Sequence, residues 1–132
     1  MKLNYKVYGE GNSDVLIILH GLFGMLDNWT TLAKQFSEHY LIYTIDQRNH
    51  GKSPHNHEMD YETMADDLND FMEEHSIYTA NIIGHSMGGK TVMCFTNKYP
   101  ERVERLVVVD IAPKAYEPKH SQIIDALQDL PI

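Results

Sequence analysis

Cysteine is almost missing from this chain. Cys94 stands alone, which excludes an intramolecular disulfide and any cysteine-based zinc site. A reducing cytoplasm is then the default compartment. Positive charge is scarce as well: 11 Lys and Arg face 19 Asp and Glu, a net charge of −8 with His neutral. That balance argues against a nucleic-acid groove or an anionic membrane as the main partner. Long apolar runs are absent. The longest purely aliphatic stretch, Val15 to Leu19, falls far short of the roughly 20 residues of a membrane span. The opening Met1-Lys2-Leu3-Asn4-Tyr5-Lys6 has no apolar segment, so no secretory signal is visible. There is no internal repeat, linker or low-complexity tract. What remains is 132 residues, 42% hydrophobic and 23% charged, the composition of one ordinary soluble domain.

Strand-like and helix-like segments alternate. Leu3 to Tyr8 alternates apolar with polar and runs into the turn signal Gly9-Glu10-Gly11-Asn12, which predicts an early strand near a sheet edge. Val15 to Leu19 and Leu106 to Val109 are short apolar runs, as expected of strands covered on both faces, and Leu41 to Ile45 and Ala80 to Ile83 also read as strands. Trp29, Leu32, Ala33 and Phe36 mark a helix over 28–36. Tyr61, Met64, Ala65, Leu68, Phe71 and Met72 form the stripe of a second helix. Asp60 is its expected N-cap, and Glu62, Asp66, Asp67, Asn69 and Asp70 are expected to face away. A third helix runs from Met87 to Tyr99, stopped by Pro100, and Ser121 to Leu130 reads as a fourth. Strands separated by helices imply βαβ crossovers and a mostly parallel sheet. The polar stretch Asn49 to Met59 reads as the most exposed loop.

Gly84-His85-Ser86-Met87-Gly88 fits G-x-S-x-G between a predicted strand and a predicted helix, the context that gives this motif meaning. A sharp turn there lifts the serine hydroxyl above the sheet. Glycines two positions before and after let strand and helix approach, and the helix N-terminus favours negative charge beside the serine. A second glycine-rich segment, His20-Gly21-Leu22-Phe23-Gly24, follows the strand Val15 to Leu19. Acyl transfer passes through an oxyanion that two backbone N–H groups can hold. Met87 is the first expected donor and Leu22 the second, with Phe23 the alternative to Leu22. The His20 side chain is expected to brace its loop. Phe23, Met25, Trp29 and His85 are the candidate lining of a substrate pocket.

A third stretch, Asp46-Gln47-Arg48-Asn49-His50-Gly51-Lys52-Ser53, follows the strand Leu41 to Ile45. Arg48, Asn49 and His50 can hold its geometry by bonding backbone groups. His50, His55 and His57 lack supporting carboxylates, so no metal site is assigned. Together with Val107-Val108-Val109-Asp110-Ile111-Ala112-Pro113, these motifs resemble the α/β-hydrolase superfamily across nearly the whole chain. More narrowly they resemble its small bacterial esterases and their mitochondrial relatives. The resemblance implies a mostly parallel sheet with helices on both faces, of which this chain supplies the N-terminal half. Residues 1–114 would be the first part of the core and 115–132 the start of a helical lid.

A serine nucleophile needs a base, and the base an orienting carboxylate. Asp110 ends an apolar strand run after Ser86 in the order the fold uses, and the resembled esterases place their acid after this strand. In those enzymes the base is a late histidine. Here only His120 follows Asp110, and it fits better as part of the lid. The expectation is therefore a serine esterase or thioesterase of small acyl esters, needing no cofactor, with Ser86 and Asp110 catalytic and the histidine supplied by a C-terminal half on the same protein or a second chain. Acyl transfer to an alcohol would use the same residues. A half-hydrolase acting as an interaction module is the non-enzymatic alternative.

Overall fold

A computed structural model of the chain describes residues 2–20, 30–50, 52–56, 60–85 and 87–109. Five strands and three helices alternate: β1 (Tyr5–Tyr8), β2 (Val15–Leu19), α1 (Thr30–Phe36), β3 (Leu41–Ile45), α2 (Tyr61–Glu74), β4 (Ala80–His85), α3 (Met87–Lys98) and β5 (Val103–Val109). A 3₁₀ turn, Pro100–Arg102, joins α3 to β5. The strand order is β1-β3-β2-β4-β5. β1 runs antiparallel to β3, and the other pairings are parallel. This is the mostly parallel α/β sheet expected from the alternating pattern, with β1 at one edge.

Side-chain alternation along the strands feeds two cores. On one face Ile17, Leu19, Tyr43, Ile45 and Ile82 pack with Ala65, Leu68, Phe71 and Met72 of α2 and Val92 and Phe95 of α3. On the other face Leu16, Ile18, Ile42 and Ile83 pack with Ala33 and Phe36 of α1 and with Tyr40. Helices therefore cover both faces, which is why β2 tolerates an unbroken apolar run. At the far end of the described sheet, Leu106 and Val108 of β5 remain exposed, an apolar strand of the kind that pairs readily.

Chain order places the site. From β2 the chain steps to β3 on one side, then crosses back over β2 to reach β4 on the other. The carboxyl ends of β2 and β4 thus flank the point where the winding reverses, the place where open α/β sheets bind ligands.

Several boundaries differ from the sequence expectation. β5 starts at Val103 rather than Leu106: Val103 pairs with Ala80 and the exposed Arg105 with Asn81, while Glu104 is the extra residue at a register shift between them. β4 reaches His85, and α2 continues to Glu74. The end of α2 explains its extra length. Ser76 adopts φ 56°, Ile77 N–H reaches the Met72 carbonyl at 2.8 Å, and Ser76 N–H reaches the Glu73 carbonyl at 3.2 Å. This is a Schellman cap with serine where glycine is usual, and Ile77 and Met72 seal it from the apolar side. The predicted helix over 121–130 and the proposed lid, 115–132, lie outside the described residues. Among the described residues, no helix is long and apolar enough to cross a membrane.

Asp60 caps α2 as expected: Thr63 N–H donates to its Oδ1 at 2.7 Å. That bond holds the Asp60 carboxyl below its ordinary value of 3.8. A lowered folded-state pKa means stability that is present above the unfolded value and lost as pH falls through the folded one. The melting temperature of Asp60→Ala should therefore lie below wild type at neutral pH, and the gap should narrow below pH 3.8. Thermal melts of both proteins at the two pH values check this.

Candidate active site

β4 ends at His85 and α3 begins at Met87, so one residue, Ser86, separates strand from helix. Ser86 itself lies outside the described residues, but its flanks show what the turn demands. A Cβ on Gly84 would fall on the Gly88 carbonyl and lie 2.7 Å from Gly89 Cα. A Cβ on Gly88 would lie 2.5 Å from the Leu19 carbonyl oxygen and 2.7 Å from that of His20. Both positions thus lack room for any side chain: Gly84 lets strand and helix touch, and Gly88 lets the first turn of α3 rest on the end of β2. Gly89 is different, since its Cβ would meet the Val108 side chain at 2.8 Å.

Met87, the expected oxyanion donor beside the nucleophile, is buried as the first residue of α3. N–H groups in a first helical turn have no partner within the helix and so remain available. His85 pairs in register with Val109, and burial pushes its imidazole below the ordinary histidine value, toward the neutral form. Ser86 and Asp110 follow these two residues in the sequence. Asp110 lies outside the described residues, as do Leu22, Phe23, Met25 and Trp29.

His20, the last described residue before that loop, is buried, and its Nε2 accepts the Gln47 backbone N–H at 3.0 Å. Accepting there requires an unprotonated Nε2. The expected bracing role of His20 thus has a specific partner.

The loop Asn49 to Met59, read as the most exposed, is so only in part: Lys52, Pro54, His55 and Asn56 are exposed, but His50 and Ser53 are buried. Asp46, Gln47 and Arg48, between β3 and that loop, are buried as well. The buried polar residues are hydrogen-bonded. Asp46 Oδ2 accepts from Asn4 Nδ2 at 2.8 Å and from Lys52 N–H at 3.0 Å. Ser53 Oγ donates to the Asp46 carbonyl at 2.5 Å and accepts the Asn4 N–H at 2.7 Å. His50 Nδ1 lies 2.9 Å from the Arg48 carbonyl, and Asn49 Oδ1 accepts Asn56 N–H at 2.6 Å. Asn49 and His50 thus hold backbone geometry as expected. Arg48 instead forms a bidentate pair with Asp67, at 2.7 and 2.9 Å, with both side chains buried. Asp67 therefore faces the sheet rather than solvent, against expectation. It lies between Met64 and Leu68 on the buried side of α2, and the guanidinium makes its burial affordable.

Gln47 and Thr91 were given no role in the sequence reading. The Gln47 amide donates to the His20 carbonyl at 3.0 Å, and its Oε1 accepts from the Thr91 hydroxyl at 2.9 Å. The only trace in the sequence is a threonine one turn after the elbow, which could bond within its own helix instead. No group of three metal-ligating side chains occurs among the described residues.

The family described as the alpha/beta hydrolase fold matches residues 14–130, and the chain belongs to it. Among individual relatives, the Escherichia coli esterase YbfF is 41% identical over 131 residues, covering 96% of this chain and 52% of that protein. A putative esterase/lipase of Haemophilus influenzae is 49% identical over 118 residues, covering 87% of this chain and 41% of its own. A solved marine microorganism esterase superimposes with a TM-score of 0.81 at 46% identity, covering 98% of this chain and 52% of that one. The chain thus spans about half the length of the relatives it matches.

Two expectations follow from the packing. Gly88→Ala meets two backbone carbonyl oxygens and should lower stability by about 3 kcal/mol, whereas Gly89→Ala meets the Val108 side chain first, with the Gly84 carbonyl oxygen at 3.2 Å, and should cost less. Denaturant titration of the two variants gives the order. Arg48→Met strands the buried Asp67 carboxylate and should cost roughly 3–5 kcal/mol, while adding Asp67→Leu to it should restore part of that loss. A double-mutant cycle read by chemical unfolding checks it.

Proposed function

We propose that the protein is a serine hydrolase of the carboxylesterase or thioesterase type, acting on small acyl esters through an acyl-enzyme on Ser86. The observation that carries this reading is the one-residue turn between β4 and α3, flanked by glycines whose positions admit no Cβ. Such a turn exposes a nucleophile at the mouth of the sheet and puts a free helix N-terminus beside it. Esterases among the relatives support the same reading.

In this mechanism Ser86 Oγ attacks the acyl carbon. The carbonyl oxygen takes up the negative charge and is held by the N–H groups of Met87 and Leu22, with Phe23 in place of Leu22 if the loop turns one residue later. A histidine takes the serine proton and delivers it to the departing alcohol or thiol, and Asp110 orients that histidine. Water then attacks the acyl-enzyme, gives its proton to the same histidine, and the acid leaves as Ser86 regains its proton. The reaction as written needs no metal or cofactor. The histidine comes from the remaining half of the hydrolase, on the same protein or a second chain. Phe23, Met25, Trp29 and His85 line the acyl pocket, and the compartment is the cytoplasm.

The test is p-nitrophenyl acetate hydrolysis by the protein in its full natural length. Ser86→Ala should lower kcat by roughly 10⁴-fold or more. A rate near wild type would overturn the nucleophile assignment.

A further inference from the structure

We infer that Gln47 is a positioning residue that couples the loop opening at His20 to the first turns of α3, and so sets the spacing of the two oxyanion donors. The inference rests on the serine-hydrolase reading above. Those donors belong to separate pieces of chain. Met87 starts α3, and Leu22 lies two residues beyond His20. Donors to an oxyanion must stand about 2.7–3.1 Å from where it forms, so the two pieces must keep a fixed separation.

Gln47 bonds to both. Its backbone N–H donates to His20 Nε2, and its Nε2 donates to the His20 carbonyl, each at 3.0 Å. Its Oε1 accepts from Thr91 Oγ1 at 2.9 Å. The Thr91 hydroxyl also stands 3.1 Å from the Met87 carbonyl, on the first residue of α3. The amide orientation follows from its neighbours: a carbonyl can only accept, so Nε2 faces His20 and Oε1 faces the hydroxyl. All three residues are buried, at 3% exposure for Gln47, 1% for His20 and 0% for Thr91. Water therefore offers no ready substitute for these bonds. The His20 carbonyl is also the group on which Gly88 rests, so one oxygen receives both the glycine packing and the Gln47 amide.

The Gln47 side chain is not what fastens its own segment. Asp46 and Ser53 tie that segment to Asn4, and Arg48 ties it to Asp67. The amide is thus free to serve the junction between His20 and α3. Losing it should loosen the donor spacing while leaving the fold in place.

The experiment uses the full-length protein and the near-isosteric Gln47→Met. Active serines are counted by titration with a fluorophosphonate. Per titrated site, kcat for p-nitrophenyl acetate should fall roughly 10- to 100-fold with KM unchanged. Thr91→Val should give a smaller loss in kcat. The double variant should be no slower than Gln47→Met alone, because both act through one bond. Unchanged kcat per titrated site with only a lower melting temperature would overturn the inference, leaving Gln47 a purely structural residue. A raised KM at constant kcat would overturn it too. If Gln47→Met fails to fold, Thr91→Val carries the test alone, and an unchanged kcat there is decisive against it. Ser86→Ala run in parallel separates the two readings. Full activity in Ser86→Ala overturns the serine reading and this inference with it. Activity lost in Ser86→Ala but kept in Gln47→Met overturns this inference alone.

Discussion

The close approach of α3 to the carboxyl ends of β2 and β4 is the constraint on which the rest depends. Helix and strands meet backbone to backbone there, at Gly84 and Gly88, with carbonyl oxygens where side chains would otherwise be. A methyl group at either position would push the helix off the sheet. The separation matters for the proposed oxyanion hole, because N–H donors act over hydrogen-bond distances and a shift of about 1 Å weakens them steeply. The two cores, one on each face of the sheet, pack α2 and α3 on one side and α1 on the other.

Apolar packing sets the layers but has no directional preference, so it cannot hold a loop in register. The segment 46–53 supplies that direction. Its buried side chains, Asp46, Gln47, Arg48, His50 and Ser53, are polar, and the groups pair by chemistry: carboxylate with amide, hydroxyl with carbonyl, guanidinium with carboxylate. A buried ionic pair such as Arg48 with Asp67 adds little net stability over an apolar pair of equal volume. Its effect is to permit a single arrangement, because any slip of β3 relative to α2 would strand both charges.

The sheet and the junction of β4 with α3 were readable from residues alone. Apolar runs located all the covered strands, since period and length survive any environment. The glycine spacing around Ser86 located the turn, because only a few backbone geometries require glycine at both positions. Charge was the poorer guide. Asp67 carries the same side chain as Asp66 and Asp70, yet it is buried whereas Asp66 is exposed enough to pair with Lys98 at the surface. Nothing local distinguishes it, because its partner lies 19 residues away in chain order.

The sequence by itself determined which segments become strands and helices, the edge position of β1, and the strand–turn–helix junction at Ser86. These follow from short-range sterics and from periodic burial, which neighbouring residues specify among themselves. Only the tertiary structure decided that Asp46, Gln47, Arg48, His50 and Ser53 are interior, that Asp67 turns inward, and that Gln47 joins His20 to Thr91 across 27 and 44 residues of chain. A hydrogen bond depends on distance and angle between groups the sheet brings together, and the crossing of the chain over β2 creates that proximity.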